Sequence, residues 1–383
     1  MKLDKAGDNT GDDHMTKIKA AVCHTFNAEL SIETVELGAP KTGQVEVTLG
    51  AVAICHSDIS YAEGAWGGQL PAIYGHEAAG RISQLGPGVD QFEIGDHVVV
   101  TLIQSCGACR QCGSGMPTIC ERPEGPDQAA LKTRNGTEIV QGLACGAFAE
   151  KVIVGQKQIV KLSDDMPFDV ASLLACGVIT GVGAVVNTAQ LRPGQDVVVI
   201  GAGGVGLNTV QGARIAGARR IVAVDMSPEK LEIAKEFGAT DGVLASDGKP
   251  WKAAKSLMGR GADAVFVTVG VGAVYDTAPR YLAYGGQVVM VGMPKSGDSS
   301  QYEPVMMAAV GQGMIGSKMG DVVISRDIPW MVDLYQQGRL KLDELISGRY
   351  SLGQINEAIA DTCLLYTSPS PRDLSTSRMP SSA

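Results

Sequence analysis

The chain has 383 residues, 45% hydrophobic and 19% charged, with 49 glycines and a formal charge of −9. That leaves room for two globular domains and argues against a nucleic-acid or anionic-membrane surface, either of which would need a basic patch. No apolar run approaches the ~18 residues that span a bilayer, and the first residues lack an apolar signal core, so a cytoplasmic location away from membranes is expected.

In chain order, residues 1–14 are polar and read as a disordered leader before a natural start at Met15. From Met15 to about Thr180, alternating runs such as "VEVTLGAVAI" and "DHVVVTLI" are separated by glycine turns and predict a β-rich unit. Inside it lie Cys55, in "AICHSDIS", and His76, in "YGHEAAG", 21 residues apart; a third thiol, Cys176, follows far downstream in "ASLLACGVITG". Two cysteines and one histidine from separated segments can hold a catalytic zinc whose fourth position stays open to water or substrate. Singly, each also suits a packed core position.

Between them lies "SCGACRQCGSGMPTIC", which carries Cys106, Cys109, Cys112 and Cys120. An odd total of nine cysteines in a chain with no secretory signal favours metal ligation over a disulfide framework. The spacing C-x2-C-x2-C-x7-C brings four thiolates to one tetrahedral zinc, which closes the coordination shell and makes the lobe a structural staple. An iron–sulfur cluster is the alternative, although a ferredoxin run places its next cysteine after three residues.

The clearest local signal is "DVVVIGAGGVGLNTVQGARIAGARRIVAVD". Residues 196–200 read as a buried parallel strand. Gly201, Gly203 and Gly206, with Gly204 and Val205 in the same turn, open a helix whose N-terminus suits a pyrophosphate. A second strand over 221–224 ends at Asp225, 19 residues after Gly206, where a carboxylate binds the adenosine ribose and repels a 2′-phosphate; NAD is expected over NADP. Further apolar runs, "GADAVFVTVG" and "GGQVVMVGMP", predict a doubly wound sheet over 181–318.

"GHEAAGRISQLGPGV", the four-cysteine lobe about 30 residues later and the glycine-rich turn occur in the order found in the zinc-dependent medium-chain alcohol dehydrogenases. The chain resembles that family from about Met15 to about Thr362. The resemblance implies an α/β chain of two parts: a β-rich GroES-like catalytic domain over 15–180 and 319–362, and a Rossmann NAD-binding domain over 181–318. It implies a catalytic zinc on Cys55, His76 and Cys176, with Glu77 behind it and Asp58 orienting His76, plus a structural zinc on the four clustered cysteines, two per subunit. Asp58 also suits a turn or capping position.

The resemblance also implies that Ser57 occupies the family's relay-hydroxyl position and His56 the position that contacts the pyrophosphate. By the same resemblance, Thr180 would pack on the nicotinamide ring and the backbone at Val291 and Met293 would hold its amide, while Lys230 would either reach the ribose or be a solvated helix residue. Ser60 stands where many relatives carry the histidine that ends the proton relay. By position, Trp66, Leu102, Leu143 and Met293 line a mostly apolar pocket, and the stretch from Glu121 to Glu150 resembles a long loop of the branch acting on primary alcohols.

The expected reaction is reversible oxidation of a primary alcohol, aromatic ones included, by NAD in a homodimer or homotetramer. Alternatives are a thiol-dependent formaldehyde dehydrogenase, a nicotinoprotein that retains NAD, and a non-catalytic nucleotide-binding relative. Residues 363–383 break the family pattern; rich in Ser, Pro, Thr and Arg, they read as a disordered tail from a cloning or frame artefact, unable to fill a sheet strand.

Overall fold

A computed structural model describes residues 15–122, 131–367 and 377–380. The β-rich part is mainly antiparallel. Its largest sheet runs in the order Ile159–Lys161, His97–Val100, Glu77–Leu85, Gln44–Ala53, Ser377–Pro380 and Gly348–Arg349, with Lys151–Gly155 also pairing on Gln44–Ala53. A smaller sheet joins Thr16–Val22, Ser31–Leu37 and Leu131–Thr133. Val45, Val47, Leu49, Ile82, Val98, Val100 and Phe148 fill the space between them, all 1% exposed or less.

The second half is a six-stranded parallel sheet. Its order is Asp241–Leu244, Arg220–Asp225, Asp196–Ile200, Ala262–Val267, Leu282–Met290 and Gly313–Gly316. Every residue of Asp196–Ile200 is buried, as expected for a strand covered by helices on both faces. The chain enters this sheet at its middle and winds outward in both directions. Ligands bind such sheets at the carboxyl ends of the central strands, where the winding reverses.

The expected boundary at residues 180/181 falls inside the helix Gly177–Gly183. That helix packs against Gly204–Ile215, which begins at the glycine-rich turn. The contact needs a glycine: a Cβ on Gly181 would stand 2.5 Å from the Val205 carbonyl oxygen and 2.8 Å from the Thr209 nitrogen. The helix that follows Cys176 is therefore seated directly on the helix that follows the glycine turn.

The tail reading is corrected where the tail is described. The helix Ile355–Thr367 runs past residue 363, and Ser377–Pro380 is a strand, antiparallel to Gln44–Ala53 and parallel to Gly348–Arg349. Composition misleads here because a ladder is built from backbone groups, and proline, which cannot donate, takes the last position. The leader reading for 1–14, the tail reading for 368–376 and 381–383, and the loop reading over 123–130 lie outside the described residues. Among the described residues no helix is long and apolar enough to cross a membrane.

Candidate metal centre and dinucleotide cleft

The antiparallel register of Gln44–Ala53 and Glu77–Leu85 sets Ala53 opposite Glu77. Cys55, two residues past one strand, and His76, one residue before the other, are delivered to the same end of the sheet. Cys55 caps the helix His56–Ala62, and Asp58 in its first turn is 1% exposed. Asp58 Oδ2 accepts the Cys55 N–H at 3.2 Å, and Oδ1 accepts the Gly75 N–H at 2.8 Å and lies 3.0 Å from His76 Nδ1. A proton on Nδ1 satisfies that last contact and leaves the Nε2 lone pair free. Among the described residues His76 Nε2 is buried without a hydrogen-bond partner, as is Glu77 Oε2.

Cys176, immediately before the helix Gly177–Gly183, completes the set: one donor atom each from Cys55, His76, Glu77 and Cys176 lie within 4.8 Å of one another. The hydrogen bond from Cys176 takes Cys55 well below the usual thiol range against the opposing effect of burial, and His76 assists. Cys176 is pushed up by the same contact and by burial. Burial, then the neighbouring Cys55 charge, raises the Glu77 carboxyl well above its ordinary value. Burial pulls His76 down, but the charges of Asp58 and Cys55 outweigh it and hold the ring well above its ordinary value.

Two thiols, two carboxyls and one imidazole thus crowd a water-poor pocket where the anions can ionise together only beside a cation. A divalent ion fits both that charge balance and the unpartnered Nε2. Soft sulfur with one imidazole is a donor set that suits zinc.

The four-cysteine lobe forms a second candidate centre, with Cys106, Cys109, Cys112 and Cys120 also within 4.8 Å of one another. Cys109 and Cys120 sulfurs are 3.8 Å apart, and those of Cys106 and Cys112 are 4.0 Å apart. Four sulfurs held about 2.3 Å from one tetrahedral ion stand about 3.8 Å apart. Backbone N–H groups of Cys109, Cys112 and Arg122 donate to the sulfurs of Cys106, Cys109 and Cys120 at 3.2–3.4 Å. The N–H groups of Cys112 and Glu121 lower the Cys109 thiol to about 6. The lobe is pre-shaped to carry negative sulfur around a single ion.

Across from Cys55, His56 and Glu77, one cleft is lined by Gly203, Gly204, Val205, Gly206, Asp225 and Lys230. A Cβ on Gly206 would meet the Gly201 carbonyl oxygen at 1.9 Å, so the turn closes only with glycine there. Asp225 caps the turn: its carboxylate accepts the Ala202 N–H at 2.7 Å and the Ser227 N–H at 3.0 Å. Thr180, 8% exposed, lies one helical turn after Cys176. Ser57 is half-buried beside Cys55 and gives its backbone N–H to the Cys55 sulfur. The Val291 N–H is taken by the Val267 carbonyl at 3.0 Å, so only its carbonyl can serve a ligand; Met293 is 61% exposed.

Two residues of this region escaped the sequence reading. Thr268 lines the cleft, and its hydroxyl bridges the Ile200 and Gly201 carbonyls at 3.0 Å each. Met319 places its sulfur 3.8 Å from both Cys176 Sγ and Thr180 Oγ1. Of the pocket residues expected by position, Trp66 donates its indole N–H to the Pro294 carbonyl at 3.3 Å, and Leu143 is left-handed at φ 51°.

The family signatures agree with this architecture. An alcohol dehydrogenase GroES-like domain matches residues 41–164 and a zinc-binding dehydrogenase domain residues 204–337. An NDMA-dependent alcohol dehydrogenase of Amycolatopsis methanolica is 36% identical over 90% of this chain and 95% of its own. The chain belongs to the zinc-dependent medium-chain alcohol dehydrogenases. Within this family, an S-(hydroxymethyl)glutathione dehydrogenase of Synechocystis is 33% identical over 89% of this chain and 95% of its own. The crystal structure of benzyl alcohol dehydrogenase from Acinetobacter calcoaceticus superposes with a TM-score of 0.88 at 28% identity, covering 96% of this chain and all of that one. The family places the chain among oxidoreductases with a GroES-like domain and a Rossmann-like parallel sheet.

Proposed function

We propose that this alcohol dehydrogenase oxidises primary alcohols, aromatic ones included, reversibly to aldehydes with NAD, carrying two zinc ions per subunit. Cys55, His76 and Cys176 would hold the catalytic ion, with Glu77 behind it, and Cys106, Cys109, Cys112 and Cys120 the structural one. The observation that carries the reading is the meeting of the Cys55–His76–Glu77–Cys176 cluster and the Gly203–Gly206 turn on one cleft. Relatives named for alcohol substrates support the substrate class.

Zinc, when bound, supplies Lewis-acid polarisation of a substrate oxygen, and the nicotinamide supplies a hydride acceptor. The chain supplies the rest. Asp58 keeps the His76 ring in one tautomer and one orientation while fixing the Cys55 backbone. The N–H groups at the start of Gly204–Ile215 receive the pyrophosphate, with His56 on the facing wall. Asp225 takes the ribose hydroxyls and opposes a 2′-phosphate, and Lys230 lies beside it on the same cleft. Thr180 and the Val291 carbonyl bound the nicotinamide end.

Ser57 Oγ passes the alcohol proton outward. Ser60, 8% exposed and one turn further on, cannot hold it near neutral pH, so the proton leaves to solvent. The test is zinc analysis paired with an NAD-linked benzyl alcohol assay: turnover should disappear with chelation and return with zinc. Undiminished oxidation by metal-free protein would overturn the reading.

A relative whose name ties it to NDMA favours a second reading in which NAD stays bound between turnovers. Dinucleotide released on denaturing the purified protein would establish it; protein free of dinucleotide would dismiss it.

A further inference from the structure

A separate cavity lies between the four-cysteine lobe and the turn that follows the sheet. It is lined by Leu102, Ile103, Gln104, Thr118, Lys318 and Met319, with Cys120 at its wall. It is joined to the metal centre through Met319, whose sulfur rests 3.8 Å from Cys176 Sγ. Leu102, Ile103 and the Met319 thioether supply its apolar lining. Thr118, Gln104 and Lys318 supply its polar lining. Thr118, 5% exposed, has a buried hydroxyl with no hydrogen-bond partner among the described residues. The Gln104 amide and the exposed Lys318 ammonium also have no side-chain partner there.

A buried hydroxyl without a partner loses its hydration for nothing unless something else enters to bond it. A hydroxyl, an amide and an ammonium around one cavity together offer several donors and a positive charge, which suits an anion with two oxygens. The backbone that carries Lys318 runs into a fixed turn. Met319, Gly320 and Asp321 are all left-handed, at φ 53°, 65° and 49°. Asp321 accepts the Thr188 hydroxyl at 2.6 Å, and Asn187 donates to the Gly320 carbonyl at 3.2 Å. Left-handed residues other than glycine, here Met319 and Asp321 on either side of Gly320, persist only where their surroundings fix them.

We infer that this cavity is the distal part of the substrate site, and that it selects alcohols carrying a carboxylate at the end remote from the hydroxyl. The Leu102–Met319 wall takes the spacer, and Lys318, Thr118 and Gln104 take the carboxylate. The inference rests on reading the Cys55–His76–Cys176 centre as the alcohol-oxidising site.

Benzyl alcohol and para-hydroxymethylbenzoate, which differ only in the carboxylate, separate the two claims. Full-length zinc-loaded protein should favour para-hydroxymethylbenzoate in kcat/KM by about tenfold or more, the size of one charge-assisted pair. Lys318→Gln and Thr118→Val should each reduce that ratio, Lys318→Gln by about tenfold. Calorimetric binding of para-hydroxymethylbenzoate should weaken by the same factor in Lys318→Gln, whether or not turnover occurs. Equal preference in the unmodified protein, or a ratio and a binding constant that ignore both substitutions, would overturn the inference while benzyl alcohol turnover left the dehydrogenase reading standing. Binding that follows Lys318 with neither alcohol oxidised would uphold the pocket and sink the dehydrogenase reading instead.

Discussion

Asp58→Asn isolates the part of the metal centre that no metal touches. The carboxylate accepts from three donors: the Cys55 N–H at 3.2 Å, the Gly75 N–H at 2.8 Å and His76 Nδ1 at 3.0 Å. An asparagine keeps one oxygen for Gly75 and His76 but turns its NH₂ group on the Cys55 N–H, setting donor against donor in a site 1% exposed. It also removes the negative charge that holds the His76 proton on Nδ1. Loss of such a partner behind a ligating histidine lowers metal affinity about 10- to 100-fold, or about 1.4–2.8 kcal/mol. The assay is zinc release under increasing chelator, followed by atomic emission. The variant should lose one zinc at about 10- to 100-fold lower chelator activity, while the second, in the four-cysteine lobe, leaves where it does in the unmodified protein. Superimposable release curves would refute the role given to Asp58; loss of both ions together would mean that the substitution unfolds the chain rather than loosening one site.

Four further outcomes are expected. Gly181→Ala puts a Cβ 2.5 Å from the Val205 carbonyl and should destabilise by about 1–3 kcal/mol, as overpacking does; an unchanged denaturation midpoint would contradict the helix contact. Asp225→Asn removes the charge that opposes a 2′-phosphate and keeps an acceptor for only one of the two backbone N–H groups, so the NADP-to-NAD ratio of kcat/KM should rise about tenfold or more. Cys120→Ser should remove only the lobe's zinc and lower the thermal midpoint; full zinc content would argue against a four-sulfur site. Because backbone N–H groups hold Cys109 at about 6, the metal-free lobe presents a thiolate above that pH and loses it below. Its zinc affinity should therefore fall as pH drops through about 6, and equal uptake at about pH 8 and about pH 5 would count against the thiolate lobe.

The nucleotide half was readable because its signals are local. "DVVVI" is a buried strand wherever it packs, and the turn after it names its own geometry: the strand runs Asp196–Ile200 as expected. The metal centre was readable through motif order, since no local rule links Cys176 to a histidine 100 residues before it. Met319, Thr268 and Lys318 stayed hidden because they lie past the ends of strands or in a left-handed turn, with no recurring spacing, and only the three-dimensional winding brings Thr268 to the cleft and Lys318 and Met319 to the cavity beside it. The strand Ser377–Pro380 was hidden for the opposite reason: pairing with Gln44–Ala53 depends on a free backbone edge far along the chain, which composition does not report.

The opposition of Ala53 and Glu77 divides tolerance to length change sharply along the chain. The part of the arm between Cys55 and His76 that lies beyond the helix His56–Ala62 can grow or shrink without disturbing either residue, because both are anchored by the paired strands and by Asp58 in that helix. One residue gained or lost within either paired strand would swing every following side chain through to the other side of the sheet. Lineages descended from this chain are thus free to reshape the rim of the cleft through that arm, whereas the sheet beneath it permits substitution but no change in count.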